Sequence, residues 1–171
     1  PPAPRGAQAS APTQPAQPAQ RPPVNLQPPT PARYDQYAPV EGYTATYYLG
    51  RTDFDYAKSV PKPDNSGYDG EYGIGIADFG VLDNIDMTKV FAFSIYLFDK
   101  TDENEPLTTV SRLLLSPYGD DHRAEIEQAD KGETKRLPPI VAQPNTNFQL
   151  EGRRLLLDCL IKQVDYTPEG Y

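Results

Sequence analysis

Acidic side chains cluster in two short stretches of the sequence, and these are the residues best suited to bind an ion. The first stretch, 99–105, carries Asp99, Asp102, Glu103 and Glu105. Calcium takes about six to eight oxygen ligands, and acids spaced along one loop can converge on a single ion. The stretch lacks the Asp-x-Asp-x-Asp-Gly order of an EF-hand, and it has no glycine for the sharp turn. We therefore expect a solvated hairpin tip, with weak calcium binding left open.

The second acidic stretch is 61–71, which carries Asp64 and Asp69 among many turn-forming residues. If this loop meets the 99–105 loop at one end of the fold, the oxygens of the two loops could share a cation. Calcium-dependent β-domains bind their ions in this way. The two loops together form the only metal site that the sequence predicts.

Residues suited to catalysis are few. His122 is the sole histidine, and it lies between acids and Arg123 at the expected start of a surface helix. Ser111 and Ser116 lack the G-x-S-x-G frame of an activated serine. Cys159 falls on the apolar face of an expected strand, where a buried thiol keeps a high pKa and stays inert. The sequence therefore predicts a protein that is not an enzyme and needs no cofactor, and a hydrolase is the least favoured class.

Tyrosine and glycine carry the remaining patterns. The chain has 12 tyrosines and no tryptophan. Tyrosine suits half-buried sheet faces and contact surfaces, and exposed tyrosines such as Tyr47 and Tyr48 could stack on a sugar ring. Gly70, Gly73 and Gly75 invert the order of a dinucleotide-binding loop. We interpret these glycines as strand positions that leave one face bare, which permits either a β-bulge or a covering aromatic ring.

Composition divides the chain near residue 39. Residues 1–33 hold 11 of the 20 prolines, three arginines and no acid, which leaves 13 bases against 24 acids and a net charge of −11 for the remainder. A proline-rich segment with little apolar surface is typical of an extended linker, which we assign to 1–39. The acidic remainder, 40–171, disfavours binding to nucleic acid, which depends on basic residues. No apolar run is long enough to span a bilayer.

Short runs with a period of two predict a mainly β domain after the linker. The most apolar run, 89–98, should be the central strand, because both of its faces are apolar. Several short strands separated by turns favour an antiparallel β-sandwich, Ig-like or similar. The other expected strands are 43–49, 53–60, 71–79, 107–115 and part of 140–150.

Two segments interrupt or blur this pattern. Residues 120–132 have little apolar face and end at Gly132, which predicts one short surface helix capped by Asp120 or Asp121. Residues 153–166 fit either a strand or a helix. We favour a strand, because a set of short strands closes more readily with another strand.

The run from "GEYGIGI" through "KVFAFSIYLFDKTD" to the closing strand carries a resemblance. This region, about 53–166, resembles uncharacterised β-rich domains that follow proline-rich linkers in Chloroflexus-like filamentous bacteria. The resemblance implies a β-rich fold and no particular activity.

These features favour a non-catalytic interaction or structural module displayed on a proline-rich spacer. We expect it to mediate protein–protein contact or assembly of a larger complex or cell-envelope structure, with the proline-rich segment as a possible ligand. A cell-envelope or membrane-tethered setting is the favoured location. The alternative is a calcium- or carbohydrate-binding adhesion domain that uses the 61–71 and 99–105 loops.

Overall fold

The computed structural model describes residues 42–77, 89–100, 106–129 and 135–171. Within these ranges the chain is mainly β, as predicted, with seven strands and two short helices. The strands are β1 (Asp55–Pro61), β2 (Tyr68–Ile76), β3 (Ala92–Asp99), β4 (Thr108–Leu115), β5 (Lys135–Val141), β6 (Thr146–Glu151) and β7 (Leu156–Ile161). The helices are α1 (Pro117–Asp121) and α2 (Arg123–Ala129).

The strands form two sheets. Strands β1 to β5 make a five-stranded sheet in chain order, and β6 pairs with β7 in a two-stranded sheet. The prediction of a central strand at 89–98 is confirmed, since β3 lies in the middle of the larger sheet. The prediction of purely antiparallel pairing is wrong at one place, because β4 and β5 run parallel. The crossover through α1 and α2 makes this possible, since a parallel neighbour needs a long connection.

Side chains of both sheets share one apolar core. Leu97 on β3 and Val110 on β4 meet Phe148 and Leu150 on β6, and all four are buried. Strand β7 adds partly buried side chains to the same core, including Cys159. The segment 153–166 therefore contains a strand, as favoured from sequence. The core explains its strand conformation, because alternate residues of β7 must face the larger sheet.

A second, smaller core lies on the opposite face of the larger sheet. Phe91, Leu113 and Leu115 pack there with Ile126 of α2. Ser116 caps α1 by accepting a hydrogen bond from Gly119 N–H at 3.1 Å. A proline follows this cap at the first helical position, which suits the start of a helix.

The helical region differs from its prediction in position. A single helix over 120–132 was expected, whereas the structure has two helices, which begin at Pro117 and Arg123 and are separated at His122. The cap is Ser116 and not Asp120 or Asp121. Residues 130–132 of the predicted helix lie outside the described residues.

Two strand predictions also need correction. Residues 43–49 form no strand, although Tyr43, Ala45 and Tyr47 are half-buried and alternate with exposed neighbours as predicted. The burial alternates because every second side chain of this extended segment packs toward the core. The backbone of the segment joins no hydrogen-bonded ladder, so it is not a strand. Strand β5, in contrast, was not predicted. Its two prolines argue against a central strand but are compatible with the sheet edge where it lies.

Gly73 of β2 is a position where the sheet tolerates no side chain. A Cβ there would collide with the Tyr56 carbonyl oxygen and would lie 2.7 Å from the Tyr96 ring. The sequence-based interpretation that an aromatic ring covers these glycines is confirmed at this position. The covering ring is Tyr96, whose hydroxyl donates to Glu71 Oε1 at 3.1 Å.

We expect Gly73→Ala to lower the free energy of unfolding by roughly 1–3 kcal/mol, because the new methyl group overpacks against backbone. Urea denaturation followed by circular dichroism measures the change. Gly67→Ala is the matched control, since nothing lies within 4 Å of a Cβ at that position. Equal stabilities of the two variants would contradict this account of Gly73.

Candidate functional site

Asp99, the last residue of β3, lies beside the β6–β7 turn. Its carboxylate Oδ2 accepts hydrogen bonds from the backbone N–H groups of Arg153, Arg154 and Leu155 at 2.7, 2.8 and 3.1 Å. The residue is only 4% exposed. These contacts attach the β6–β7 turn to the end of the larger sheet. The structure therefore gives Asp99 a role in joining the two sheets, which the prediction of a solvated loop residue did not include.

Gly152 makes this arrangement possible. A Cβ at position 152 would lie 2.5 Å from the same carboxylate oxygen, so any larger residue would displace Asp99 or the turn. Successive backbone N–H groups that point at one spot form a concave anion-binding arrangement. Here the anion is a carboxylate of the chain itself. Sequence spacing gave no sign of it, because Asp99 and its partners are 54 to 56 residues apart.

The two acidic loops lie at the same end of the larger sheet. Strands β1 to β4 are sequential and antiparallel, so the β1–β2 and β3–β4 connections share one end. The backbone links them directly, since Lys100 N–H donates to Asp69 C=O at 2.7 Å. The described bases of the two loops are therefore adjacent. Asp102, Glu103 and Glu105 of the candidate set lie outside the described residues.

Asp64 has a local role in the β1–β2 turn. Its Oδ1 accepts a hydrogen bond from Ser66 N–H at 2.9 Å. This bond lowers the pKa of the Asp64 carboxyl below its usual range. Asn65 between them adopts a left-handed backbone with φ of 57°. The geometry is that of an Asx turn, which occurs in many loops that bind no metal.

The described ranges bring together no group of three or more His, Cys, Asp or Glu residues that could hold a metal ion. Of the six predicted ligands, Asp99 points its Oδ2 at backbone donors, and Asp64 bonds within its turn. Asp69 is half-buried at the start of β2. The calcium hypothesis stays a prediction that depends on the loop residues beyond these ranges.

The serines and the histidine that could do chemistry are held by structural contacts. Ser111 is buried and accepts a hydrogen bond from Arg136 Nε at 3.3 Å. Ser116 is the cap of α1. The His122 ring stacks on Tyr118 with ring centroids 4.1 Å apart, and its Nδ1 lies 2.9 Å from the Tyr118 carbonyl oxygen. Neither serine is linked to His122 by a hydrogen bond among those found in the described part of the chain.

Cys159 has the character of a core thiol. Burial raises the pKa of the Cys159 thiol to about 12, and the nearby Asp158 adds to this effect. Arg112 opposes the shift from the facing strand β4, where its guanidinium lies 5.6 Å from the centre of the Phe148 ring. Burial in turn lowers the pKa of Arg112. A thiol with so high a pKa has almost no thiolate near neutral pH, so nucleophilic chemistry is disfavoured.

An aromatic cluster lies at the end of the larger sheet opposite the acidic loops. Tyr47 packs edge-on against Phe54 and Phe93, with centroids 5.3 and 5.1 Å away. The chain then turns at Tyr48–Arg51, where Arg51 N–H donates to Tyr48 C=O at 3.1 Å and Gly50 takes a φ of 87°. A positive φ at this position is typical of a type II turn.

This turn carries apolar side chains into solvent. Tyr48 is 71% exposed and Leu49 is 58% exposed. Both follow Tyr47 directly in the chain, so exposed apolar side chains lie at the turn next to the aromatic cluster. The prediction of an exposed tyrosine is confirmed for Tyr48. The structure corrects this for Tyr47, which is half-buried within the cluster.

Comparison of the chain with known proteins found no similar protein. No family model, no curated protein and no solved structure matches the chain. The expected resemblance to β-rich bacterial domains therefore stays a prediction. In the described ranges, no helix has the length and apolar character needed to cross a membrane.

We expect Asp99→Ala to lower the free energy of unfolding by roughly 3–5 kcal/mol, because three backbone donors lose their acceptor inside the fold. Urea denaturation of the variant and the parent chain measures the difference. Asp64→Ala is the matched control, since that exposed carboxylate has one backbone bond in a turn and should cost about 1 kcal/mol or less. A loss at Asp99 no larger than that at Asp64 would contradict the joining role.

Proposed function

We propose that this chain is a non-catalytic interaction module: an acidic β-sandwich, Ig-like or similar, over residues 40–171, displayed on a proline-rich linker over 1–39. The observation that carries the proposal is the aromatic surface ending at Tyr48 and Leu49, which are exposed beside a packed cluster. Apolar side chains that continue a core into solvent are typical of contact surfaces. The cell envelope or a membrane-tethered complex is the proposed setting.

The state of the reactive side chains supports the absence of catalysis in this proposal. Ser116 caps a helix, His122 stacks on a tyrosine, and the Cys159 thiol has a pKa of about 12. A catalytic nucleophile needs a base within hydrogen-bond reach and a lowered pKa. These groups have structural partners in place of catalytic ones.

The proline-rich segment is the partner that the aromatic surface fits best. Extended proline-rich peptides bind grooves lined by aromatic side chains, at little cost in conformational entropy. Residues 1–33 are basic, whereas the rest of the chain has a net charge of −11. Opposite charge favours the encounter between the segment of one molecule and the domain of another.

We expect a synthetic peptide of residues 1–33 to bind a chain that lacks these residues. Chemical shifts of the labelled chain should change around Tyr48. Tyr48→Ser should weaken binding roughly threefold to tenfold, because it removes an aromatic contact. Tyr68→Ser is the matched control, since Tyr68 is also exposed but lies at the end of the sheet with the acidic loops. No shift change at millimolar peptide, or equal weakening in both variants, would contradict the proposed surface.

A calcium- or carbohydrate-binding adhesion domain is the second candidate. The observation that favours it is the placement of the two acidic loops at one end of the sheet, with Lys100 N–H bonded to Asp69 C=O. Asp69 would be the ligand from the described ranges, joined by acids of the 101–105 segment. Lys100 packs over the Tyr68 ring at 4.8 Å from its centre, so an aromatic face lies beside the loops as well.

If the loops bind calcium, millimolar calcium should raise the midpoint of thermal unfolding, because a ligand that binds only the native state stabilises it. The combined change of Asp102, Glu103 and Glu105 to the corresponding amides should abolish the shift. Magnesium at the same concentration controls for general ionic effects. An unchanged midpoint in calcium would remove this candidate.

A further inference from the structure

The two edges of the five-stranded sheet are protected to different degrees. At one edge, β5 contains Pro138 and Pro139, which have no N–H group, and Arg123 of α2 donates to the Pro139 carbonyl oxygen at 2.8 Å. Prolines and covering side chains are the usual means of preventing a further strand from pairing. At the other edge lies β1, where five of the seven residues are exposed.

The hydrogen-bond pattern shows which groups of β1 face outward. Ile76 N–H donates to Phe54 C=O at 3.2 Å, which makes that pair a hydrogen-bonded pair. Bonded and non-bonded pairs alternate in an antiparallel ladder. Tyr56 lies opposite Ile74 in a hydrogen-bonded pair, so its N–H and C=O groups point toward β2. Ala57 lies opposite Gly73 in a non-bonded pair, so its N–H and C=O groups point away from β2. The N–H and C=O groups of Ala57 and Ser59 therefore point outward from the sheet.

We propose that the β1 edge pairs with β1 of a second copy of this chain, in antiparallel orientation about a two-fold axis at Ala57. This inference rests on the proposed function, for which it identifies a contact surface. The pairing would join two five-stranded sheets into one continuous sheet. Isologous pairing of this kind is closed, because each copy uses the one sheet edge that, among the described residues, is neither covered nor rich in proline.

The charges of β1 are compatible with this partner and this register, and they exclude one neighbouring register. With Ala57 opposite Ala57 of the second copy, Lys58 lies opposite Tyr56, and Asp55 lies opposite Ser59. No like charges face each other, and Lys58 gains an aromatic neighbour, as it already has in Tyr43 at 6.0 Å. A shift of one step along the strand would place the two copies of Lys58 opposite each other, which is unfavourable. Strand β1 is itself electrically neutral, although the domain is strongly acidic.

The side chain at position 57 offers a direct test, because it would lie opposite its own copy. Ala57 is exposed, so a charged side chain there should leave the fold intact. The full chain and the variants Ala57→Glu and Ala57→Lys are measured by sedimentation at concentrations from about 10 μM to about 1 mM, a range suited to a weak, small interface. An excess of the free 1–33 peptide is present throughout, so that contacts between the proline-rich segment of one copy and the domain of another do not contribute to the mass. Added salt should strengthen the dimer by screening the acidic domains.

We expect the mass of the parent chain to rise from one chain toward two. Each variant alone should remain a monomer over the same range, and an equal mixture of both should regain the dimer, since opposite charges then meet. Asn147→Glu and Asn147→Lys, at an exposed position of β6, are the matched controls and should behave as the parent chain. Circular dichroism and thermal unfolding confirm that every variant is folded.

A parent chain that stays monomeric at every concentration would overturn the inference. The same holds if each Ala57 variant, measured alone, forms dimers to the same extent as the parent chain. If an Ala57 variant fails to fold, Ser59→Lys and Ser59→Glu are measured in its place. Because Ser59 would lie opposite Asp55 of the second copy, Ser59→Lys should strengthen the dimer and Ser59→Glu should weaken it. None of these results alters the peptide binding that tests the proposed function, because that binding is read from chemical shifts and not from mass.

Discussion

The contact on which the architecture depends is the hydrogen bonding of one buried carboxylate, Asp99, to three consecutive backbone N–H groups. A carboxylate removed from water is costly unless its oxygens are satisfied, and backbone donors in a fixed turn satisfy them without side-chain ordering. The Asp99 contact fixes the β6–β7 turn against the end of β3. The shared apolar core then forms between sheets whose relative position is set at one end by this contact and along their length by packing.

How much of the fold the sequence predicts depends on how local the determining interactions are. The apolar run at 89–98 identifies β3, because both of its faces are apolar. The run at 153–166 also fits a helix, so β7 is identified only with the help of the neighbouring strands. In the shorter runs 53–60 and 71–79, a period of two identifies β1 and β2, because a half-buried strand alternates its faces. The same reasoning fails at 43–49, where the period is present but the backbone has no ladder to join. It also fails at β5, whose prolines are compatible only with an edge position that no local pattern reveals.

The candidate site shows the same limit more sharply. The acids of 99–105 are easily found in the sequence, but the role of Asp99 depends on a turn more than 50 residues away and on the missing side chain of Gly152. Cys159 was correctly placed on an apolar face, since it shares with Leu157 and Ile161 the face of β7 that packs on the core, whereas Asp158 and Leu160 are exposed. The exposed end of the aromatic cluster required the turn at Gly50, whose left-handed backbone is a property of three dimensions.

The distance along the chain between Asp99 and its partners also has a kinetic consequence. Strands β1 to β4 are joined by short or sequential connections, so they can pair while most of the chain is still unfolded. The β6–β7 turn finds Asp99 only after a loop of 54 residues has closed, which is slow because the entropy of loop closure is lost before the contact forms. The order of events during folding should therefore follow the order of the strands, with the attachment of the last hairpin as the final step.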